Sequence, residues 1–318
     1  MTLLIKESEV TNLIDYREIY NSLVNAFELF ENKLAINLQR SRISFKGATL
    51  TFQAAAMEDY IGYKTFISGN FLIFLYNISG ELLSIIESDR LTQIRTAILS
   101  VIASDFIYGD YSSIGIIGLG KQGIAHVEVI NEIKKGIKIN VFTESKSRLE
   151  KAISVLGSEG ISVNVSDSIK KICEDSEVIV SITKAKDPFI KLDYVSSKRK
   201  HINAMGSNIP EKIEVYPEVV KASKIIVVED FIQTLQEAGE LVIAKKMNML
   251  DESKLVTLSS VISKKVTIPK EGITLFKSVG IGLEDLAVGK LIYEKALSKG
   301  IGNEIEVKGI WYRELERK

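Results

Sequence analysis

Apolar and polar positions follow two rhythms along this chain, and the change between them falls near residue 113. Asp15-Tyr-Arg-Glu18 has the form of a helix N-cap with its reciprocal glutamate. Behind it Ile19, Leu23, Phe27, Phe30 and Leu34 recur at helical spacing and predict one amphipathic helix. From Ile43 to Ile86 the segments become strand-like. Leu50-Thr-Phe-Gln-Ala, Tyr63-Lys-Thr-Phe-Ile and Phe71-Leu-Ile-Phe-Leu-Tyr76 are set apart by glycine and asparagine, and Asn77-Ile-Ser-Gly80 reads as a hairpin connection. Strands in succession with no helix between them predict an antiparallel sheet. A second helix is expected from Leu91 to Phe106, with Leu91, Ile94, Ile98, Val101 and Ile102 on one stripe.

From Ser113 strands and helices alternate. Ile114–Ile117, Lys138-Ile-Asn-Val-Phe-Thr143, Ile161-Ser-Val-Asn-Val165, Glu177-Val-Ile-Val-Ser-Ile182, His201-Ile-Asn-Ala204 and Lys224-Ile-Ile-Val-Val-Glu229 predict strands, with helical segments between most of them. That pattern predicts a doubly wound parallel sheet. Leu275-Phe-Lys-Ser-Val-Gly-Ile-Gly282 precedes a last helix from Leu283, whose apolar face is Leu283, Ala287, Val288, Leu291 and Ile292. The tail, Ile305 to Lys318, alternates again and could return to the first domain. The expected class is α/β: a Rossmann sheet over residues 113–287, and a discontinuous α+β domain of residues 1–112 completed by 288–318.

The first strand of the second rhythm breaks into Gly118-x-Gly120-x-x-Gly123, with a helical pattern directly behind. In a dinucleotide fingerprint the first glycine permits the tight turn, the second lets backbone approach a pyrophosphate, and the third lets helix pack on strand. The phosphates then meet the N–H groups at the helix N-terminus. The cofactor would lie across the carboxyl ends of the strands, with Gly118 to Thr183 supplying one half of its site. At the end of the second strand Thr143 occupies the usual acidic position, Glu144 follows it, and Ser145, Lys146 and Arg148 could embrace a 2′-phosphate. The reading is open between NAD and NADP.

Composition narrows the partners. With 318 residues, of which 46% are apolar and 26% charged, two globular domains are expected. Lys plus Arg balances Asp plus Glu at 41 each, so no global field attracts nucleic acid or an anionic membrane. One cysteine, Cys173, excludes an internal disulfide and fits a reducing compartment, and with His126 and His201 it cannot form a Cys/His zinc cluster. The N-terminus lacks a signal-peptide pattern, and no apolar run reaches the ~18 residues of a membrane span. A cytoplasmic protein without metal, nucleic-acid or membrane partner is expected. Cys173 reads as a packed, inert thiol, and each histidine as structural or solvated.

Three basic residues attract a functional reading: Arg42 leading into the sheet, Lys64 inside a strand, and Arg95 at the edge of a helix's apolar stripe. An arginine facing a packed surface needs an anionic partner. An internal carboxylate such as Asp105 or Glu87 would serve as well as a substrate.

Several stretches together resemble the ornithine cyclodeaminase/mu-crystallin family. They are Leu91-Thr-Gln-Ile-Arg95-Thr96-Ala97, Gly118-Leu-Gly-Lys-Gln122, His201-Ile-Asn-Ala-Met-Gly206, and Phe276-Lys-Ser-Val-Gly280 followed by Glu284-Asp285-Leu-Ala287. Ala238-Gly239-Glu240 is a shorter match. The resemblance spans essentially the whole chain. It implies a homodimer in which the first domain makes the subunit interface and substrate pocket, and a Rossmann domain that binds NAD or NADP. Thr96, Gly118, Gly120, Lys121, Gln122, Met205, Ser278 and Gly280 would contact the cofactor, joined by Thr143, Glu144, Ser145 and Thr183. Arg95 and Arg42 (or Arg40) would hold a substrate carboxylate as a bidentate fork, and Lys64 would be the pocket lysine. A lysine between cations can have a depressed pKa suited to proton transfer.

One departure bears on the reaction. Where cyclodeaminases have Gly-Gly-Asp-Cys-Pro, this chain reads Gly206-Ser207-Asn208-Ile209-Pro210. An amide at Asn208 cannot take the proton that cyclodeamination requires of a base. The expected function is therefore reduction of the C=N bond of a small imino acid, of the ketimine reductase or amino-acid dehydrogenase type. Two alternatives stand beside it: ornithine cyclodeaminase with tightly held NAD, and a dinucleotide-gated binding protein without turnover.

Overall fold

The computed structural model describes residues 2–307. In chain order its elements begin with β1 (Thr2–Ile5), α1 (Glu7–Leu13), α2 (Tyr16–Glu31), β2 (Ala35–Asn37) and β3 (Ser41–Phe45). Next come β4 (Ala48–Met57), β5 (Tyr60–Ile67), β6 (Asn70–Asn77), β7 (Leu82–Glu87) and α3 (Asp89–Ile107). Alternation then sets in, with β8 (Ser113–Ile117), α4 (Lys121–Ile133), β9 (Lys138–Phe142), α5 (Lys146–Ser158), β10 (Asn164–Val165), α6 (Ile169–Asp175) and β11 (Val178–Ser181). It continues through α7 (Leu192–Val195), β12 (Lys200–Ala204), α8 (Pro217–Ala222), β13 (Ile225–Val228), α9 (Phe231–Glu237) and α10 (Gly239–Lys246). The last elements are β14 (Leu255–Thr257), α11 (Leu258–Ile262), β15 (Ile273–Lys277), α12 (Gly282–Lys299) and β16 (Asn303–Ile305). The protein divides into two compact units. Of the described residues, one takes in 2–15, 34–92 and 282–307; the other takes in Tyr16–Lys33 and Gln93–Ile281.

The first unit is built on a sheet ordered β16-β1-β7-β6-β5-β4-β2, with β3 also paired to β4. All pairings are antiparallel except β1 beside β7. The period of two puts Thr51, Gln53, Ala55 and Met57 on the buried face, which α12 covers. On the opposite face the register aligns Ala54, Tyr63 and Phe74, and the rings of Phe52, Tyr63, Phe74 and Tyr76 stack at 4.8–6.2 Å between centroids. The hairpin expected at Asn77–Gly80 joins β6 to β7, with the Asn77 side chain accepting from Glu81 N–H at 2.9 Å.

The second unit carries an entirely parallel sheet ordered β10-β9-β8-β11-β12-β15-β13-β14. Strand order reverses beside β8, where the chain steps out first to β9 and β10 and then to β11 and β12. Strands β8, β11, β12, β13 and β15 are buried along their whole length, as the inner strands of a parallel sheet between helical layers must be. Side-chain caps open several helices: Ser145 for α5, Ser168 for α6 and Asp230 for α9.

The structure corrects several expectations. Leu34 is not on the helical stripe: α2 stops at Glu31, Lys33 takes a positive φ of 60°, and Leu34 is left 65% exposed. The strand expected over Ile161–Val165 shrinks to Asn164–Val165, because the chain through Ile161 is spent closing α5. Ile161 N–H donates to the Leu156 carbonyl at 2.9 Å. Strands β1 and β14, of four and three residues, are too short for periodicity to announce. The tail returns as far as β16, antiparallel to β1; residues 308–318 of the predicted segment lie outside the described residues. Among the described residues no helix is long and apolar enough to cross a membrane.

Cys173 and both histidines are packed inside the second unit. Burial pushes the Cys173 thiol up to about 12. His201 bonds Thr274 Oγ1 at 2.9 Å and Asn203 Oδ1 at 2.8 Å, and the Asn203 amide reaches Ser104 Oγ on α3 at 2.9 Å. Desolvation lowers the pKa of His126 and of His201 from 6.5 to about 4. Between those values the unfolded chain binds protons that the folded chain does not, so stability falls as pH drops from about 6.5 toward about 4. Urea midpoints are expected to decline steadily across that window. Midpoints that stay flat from pH 7 to pH 5 would show that the imidazoles charge without unfolding.

Candidate active site

At the end of β8 the turn is built for close backbone approach. Gly118 has φ +106°, and a Cβ there would lie 2.6 Å from the Ile182 carbonyl oxygen. A Cβ on Gly123 would lie 1.8 Å from the Gly118 oxygen, so α4 packs directly on the turn. Gly120, the N-cap of α4, has nothing within 4 Å of its missing Cβ. That open side faces a helix start whose first N–H groups lack intrahelical partners, which suits a pyrophosphate. Lys121 is exposed and Gln122 half-buried at the first positions of the helix. Beyond β9, Thr143 is half-buried and Glu144 exposed. Ser145 is tied to the α5 cap, accepting from Arg148 N–H at 3.4 Å, while Lys146 and Arg148 stand exposed.

The carboxyl ends of the remaining strands are held by buried carboxylates that sequence reasoning did not single out. Glu214, fully buried, accepts from Ser181 Oγ at 2.9 Å, Thr183 N–H at 2.7 Å, Thr183 Oγ1 at 2.7 Å and Gly206 N–H at 2.9 Å. Glu229 accepts from the Ser278 hydroxyl, from Val279 N–H at 3.0 Å and from Gly280 N–H at 3.2 Å. Burial pushes both carboxyls above the usual range, against those bonds. Lys277, also fully buried, pairs with Glu240 at 3.1 Å and donates to the Ser207 carbonyl at 2.8 Å. Met205 is buried and Asn208 half-buried in the loop after β12. A charge closing an apolar run, as in Ile225-Ile-Val-Val-Glu229, is the signal that could have marked Glu229.

The first unit holds its own chemistry. Lys64 on β5 is 2% exposed, and its Nζ lies 2.6 Å from the Asp285 carboxylate in the first turn of α12. Buried Gln53 is its direct partner across the β4/β5 register. The lysine thus has an anion beside it, where the sequence reading set it among cations. Asp285 was not singled out in the sequence as the partner of Lys64, although an acidic pair opening an otherwise apolar helix marks it. Arg42 is exposed on β3, and Arg40 precedes that strand half-buried. In the second unit, Arg95 lies on α3, 5% exposed, with half-buried Thr96 beside it. Of the two carboxylates considered for it, Asp105 is held by Lys134 at 2.5 Å and Tyr20 at 3.1 Å, and Glu87 accepts from Glu7 N–H at 2.7 Å.

An open glycine turn at the switch point of a parallel sheet defines a dinucleotide-binding α/β protein. The ornithine cyclodeaminase/mu-crystallin family model matches residues 53–300, and the chain belongs to that family. Alanine dehydrogenase of Archaeoglobus fulgidus is 28% identical over 96% of this chain and 98% of its own length. A Delta(1)-pyrroline-2-carboxylate reductase of Bacillus cereus is 26% identical over 96% of this chain and 99% of its own. Among solved structures, an archaeal alanine dehydrogenase dimer with bound NAD superposes with a TM-score of 0.89 at 26% identity, covering 96% of this chain and 99% of that one. The Thermococcus litoralis Delta(1)-pyrroline-2-carboxylate reductase in complex with NADH and L-proline gives 0.86 at 25% identity, covering 95% and 100%.

Removing Asp285 strands a buried ammonium. Asp285→Ala is expected to cost about 3–5 kcal/mol by urea denaturation, and Lys64→Met in the same background to restore most of the loss. Equal stability of Asp285→Ala and the parent would mean that Lys64 is neutral in the fold.

Proposed function

We propose that this chain is a nicotinamide-dependent reductase of a small imino acid, running in reverse as an amino-acid dehydrogenase. The observation that carries the reading is Lys64, a buried ammonium matched to a buried carboxylate in a chain with an open dinucleotide turn. When bound, the dinucleotide supplies the hydride that goes to the C=N carbon. Gly118, Gly120, Lys121 and Gln122 would hold its phosphates. Thr143, Glu144 and Ser145 would meet the adenine ribose, and Thr96, Thr183, Met205, Ser278 and Gly280 would line the other end. Arg95 and Arg42 would fix the substrate carboxylate by paired N–H bonds.

Lys64 holds the proton at Nζ and passes it to the imine nitrogen, completing CH–NH from C=N. Asp285 keeps that ammonium oriented. Orientation of the reacting groups is the protein's main contribution. Asn208 can donate to or accept from the nitrogen without taking its proton, which favours reduction over cyclodeamination.

The protein is tested by following NADH and NADPH oxidation with pyrroline-2-carboxylate, piperideine-2-carboxylate, and pyruvate plus ammonia. One of these is expected to turn over, and Lys64→Ala to lose activity by about 10²-fold or more while still binding NADH. Proline and ammonia from ornithine, with no oxidation in any of the three assays, would sink the reading.

A homodimer is part of the same proposal. The outward face of the antiparallel sheet, with Phe52, Tyr63, Phe74 and Tyr76 in one stack, is an aromatic surface of the kind that subunit interfaces bury. Near it Ile43 and Phe45 are 69% and 71% exposed. Light scattering is expected to give twice the chain mass, and Phe74→Glu to shift it toward one chain mass. A wild-type monomer at micromolar concentration would remove the dimer from the proposal.

A further inference from the structure

In a doubly wound sheet the second mononucleotide lies over the strands beyond the switch point, here β11, β12 and β15. Beneath the carboxyl ends of those strands is a buried polar cluster to which the proposed reduction assigns no step. Its centre is Glu214, whose two oxygens each receive two donors from Ser181, Thr183 and Gly206. A carboxylate has only acceptors to offer, so four converging donors match its ionised form. Gly206 has no room for a side chain: a Cβ there would lie 2.4 Å from Glu214 Oε1 and 2.5 Å from Thr183 N. Peptide planarity adds a consequence. With the Gly206 N–H turned inward to Glu214, the Met205 carbonyl must point the other way.

Glu214 is itself held in place. Its N–H donates to Glu240 Oε1 at 2.9 Å, and its carbonyl accepts from Phe189 at 2.9 Å and Ile190 at 3.0 Å. Glu240 meets Lys277 with its other oxygen, so two buried carboxylates share one buried ammonium. Glu229 adds a further carboxylate at the end of β15. With Glu214 ionised, as its four donors favour, it and Glu240 face the single ammonium of Lys277 in a place that water does not screen.

We propose that, with the nicotinamide cofactor assigned above, Glu214 is a positioning residue of the nicotinamide half-site. Its carboxylate locks the Thr183 and Gly206 peptides and sets there a buried negative charge that favours the oxidised, cationic ring over the reduced, neutral one. The charge acts on the difference between the two cofactor forms, whereas loosened packing weakens both alike.

Glu214→Gln keeps the shape and removes the charge. The full-length protein is titrated with NADH by fluorescence and with NAD+ by displacement of NADH; if NADPH binds in place of NADH, the NADP+ pair is used. The ratio of the Kd for NAD+ to the Kd for NADH is expected to rise about tenfold in the variant. Glu240→Gln leaves the four donors on Glu214 and should move the ratio in the same direction, which keeps the test decisive if Glu214→Gln fails to fold. A ratio unchanged from wild type in a folded variant overturns the proposal. Wild-type protein that binds neither NADH nor NADPH overturns the cofactor reading instead, and with a different signature.

Discussion

A buried carboxylate accepting the first free N–H groups beyond a strand is the interaction on which the second unit's site depends. Parallel strands end with backbone donors that the ladder no longer satisfies, and a donor left buried without a partner costs about 1–3 kcal/mol. Glu214 answers this at the ends of β11 and β12, and Glu229 at the end of β15. Each gathers peptides from loops that would otherwise be free to choose among conformations. The cost is a charge taken out of water, and it is borne because donors or a lysine surround each oxygen. Order at the sheet's carboxyl edge therefore comes from a few acidic residues more than from the loops' own propensities.

The first unit meets the same constraint with a different solution. Lys64 is embedded in an antiparallel sheet whose inner face is otherwise apolar or amide-bearing, and its match, Asp285, arrives from the opening turn of a helix more than 200 residues away in sequence. Such a pair contributes little net stability compared with an apolar one, but it places a proton at a defined atom. The opposite face of that sheet carries the stacked rings of Phe52, Tyr63, Phe74 and Tyr76. One sheet thus places a buried charge on its inward face and an aromatic stack on the other, by the alternation of its strands alone.

How much was legible in advance depended on the range of the interaction. The rhythm of apolar positions settled both sheet types, the antiparallel run through Leu50, Tyr63 and Phe71 and the parallel run from Ser113, since period and spacing are local properties. The glycine turn was readable for the same reason: strand, Gly118-x-Gly120-x-x-Gly123 and helix are contiguous. Leu34 and Ile161 were misplaced by the same local rule, because a positive φ at Lys33 and the closing turns of α5 interrupt a pattern that continues on paper.

What only the tertiary structure decided was the partner of each buried charge. Nothing in the sequence near Lys64 names Asp285, nor does anything near Gly206 name Glu214 or anything near Ser278 name Glu229. An acidic residue at the edge of an apolar run reads the same whether it ends up solvated or surrounded by donors. The chain by itself determined that a dinucleotide turn would be present, through residue type and spacing. The fold decided which carboxylates meet Lys64 and the loops after β11, β12 and β15, because desolvation makes a charge's role depend on neighbours that are distant in sequence.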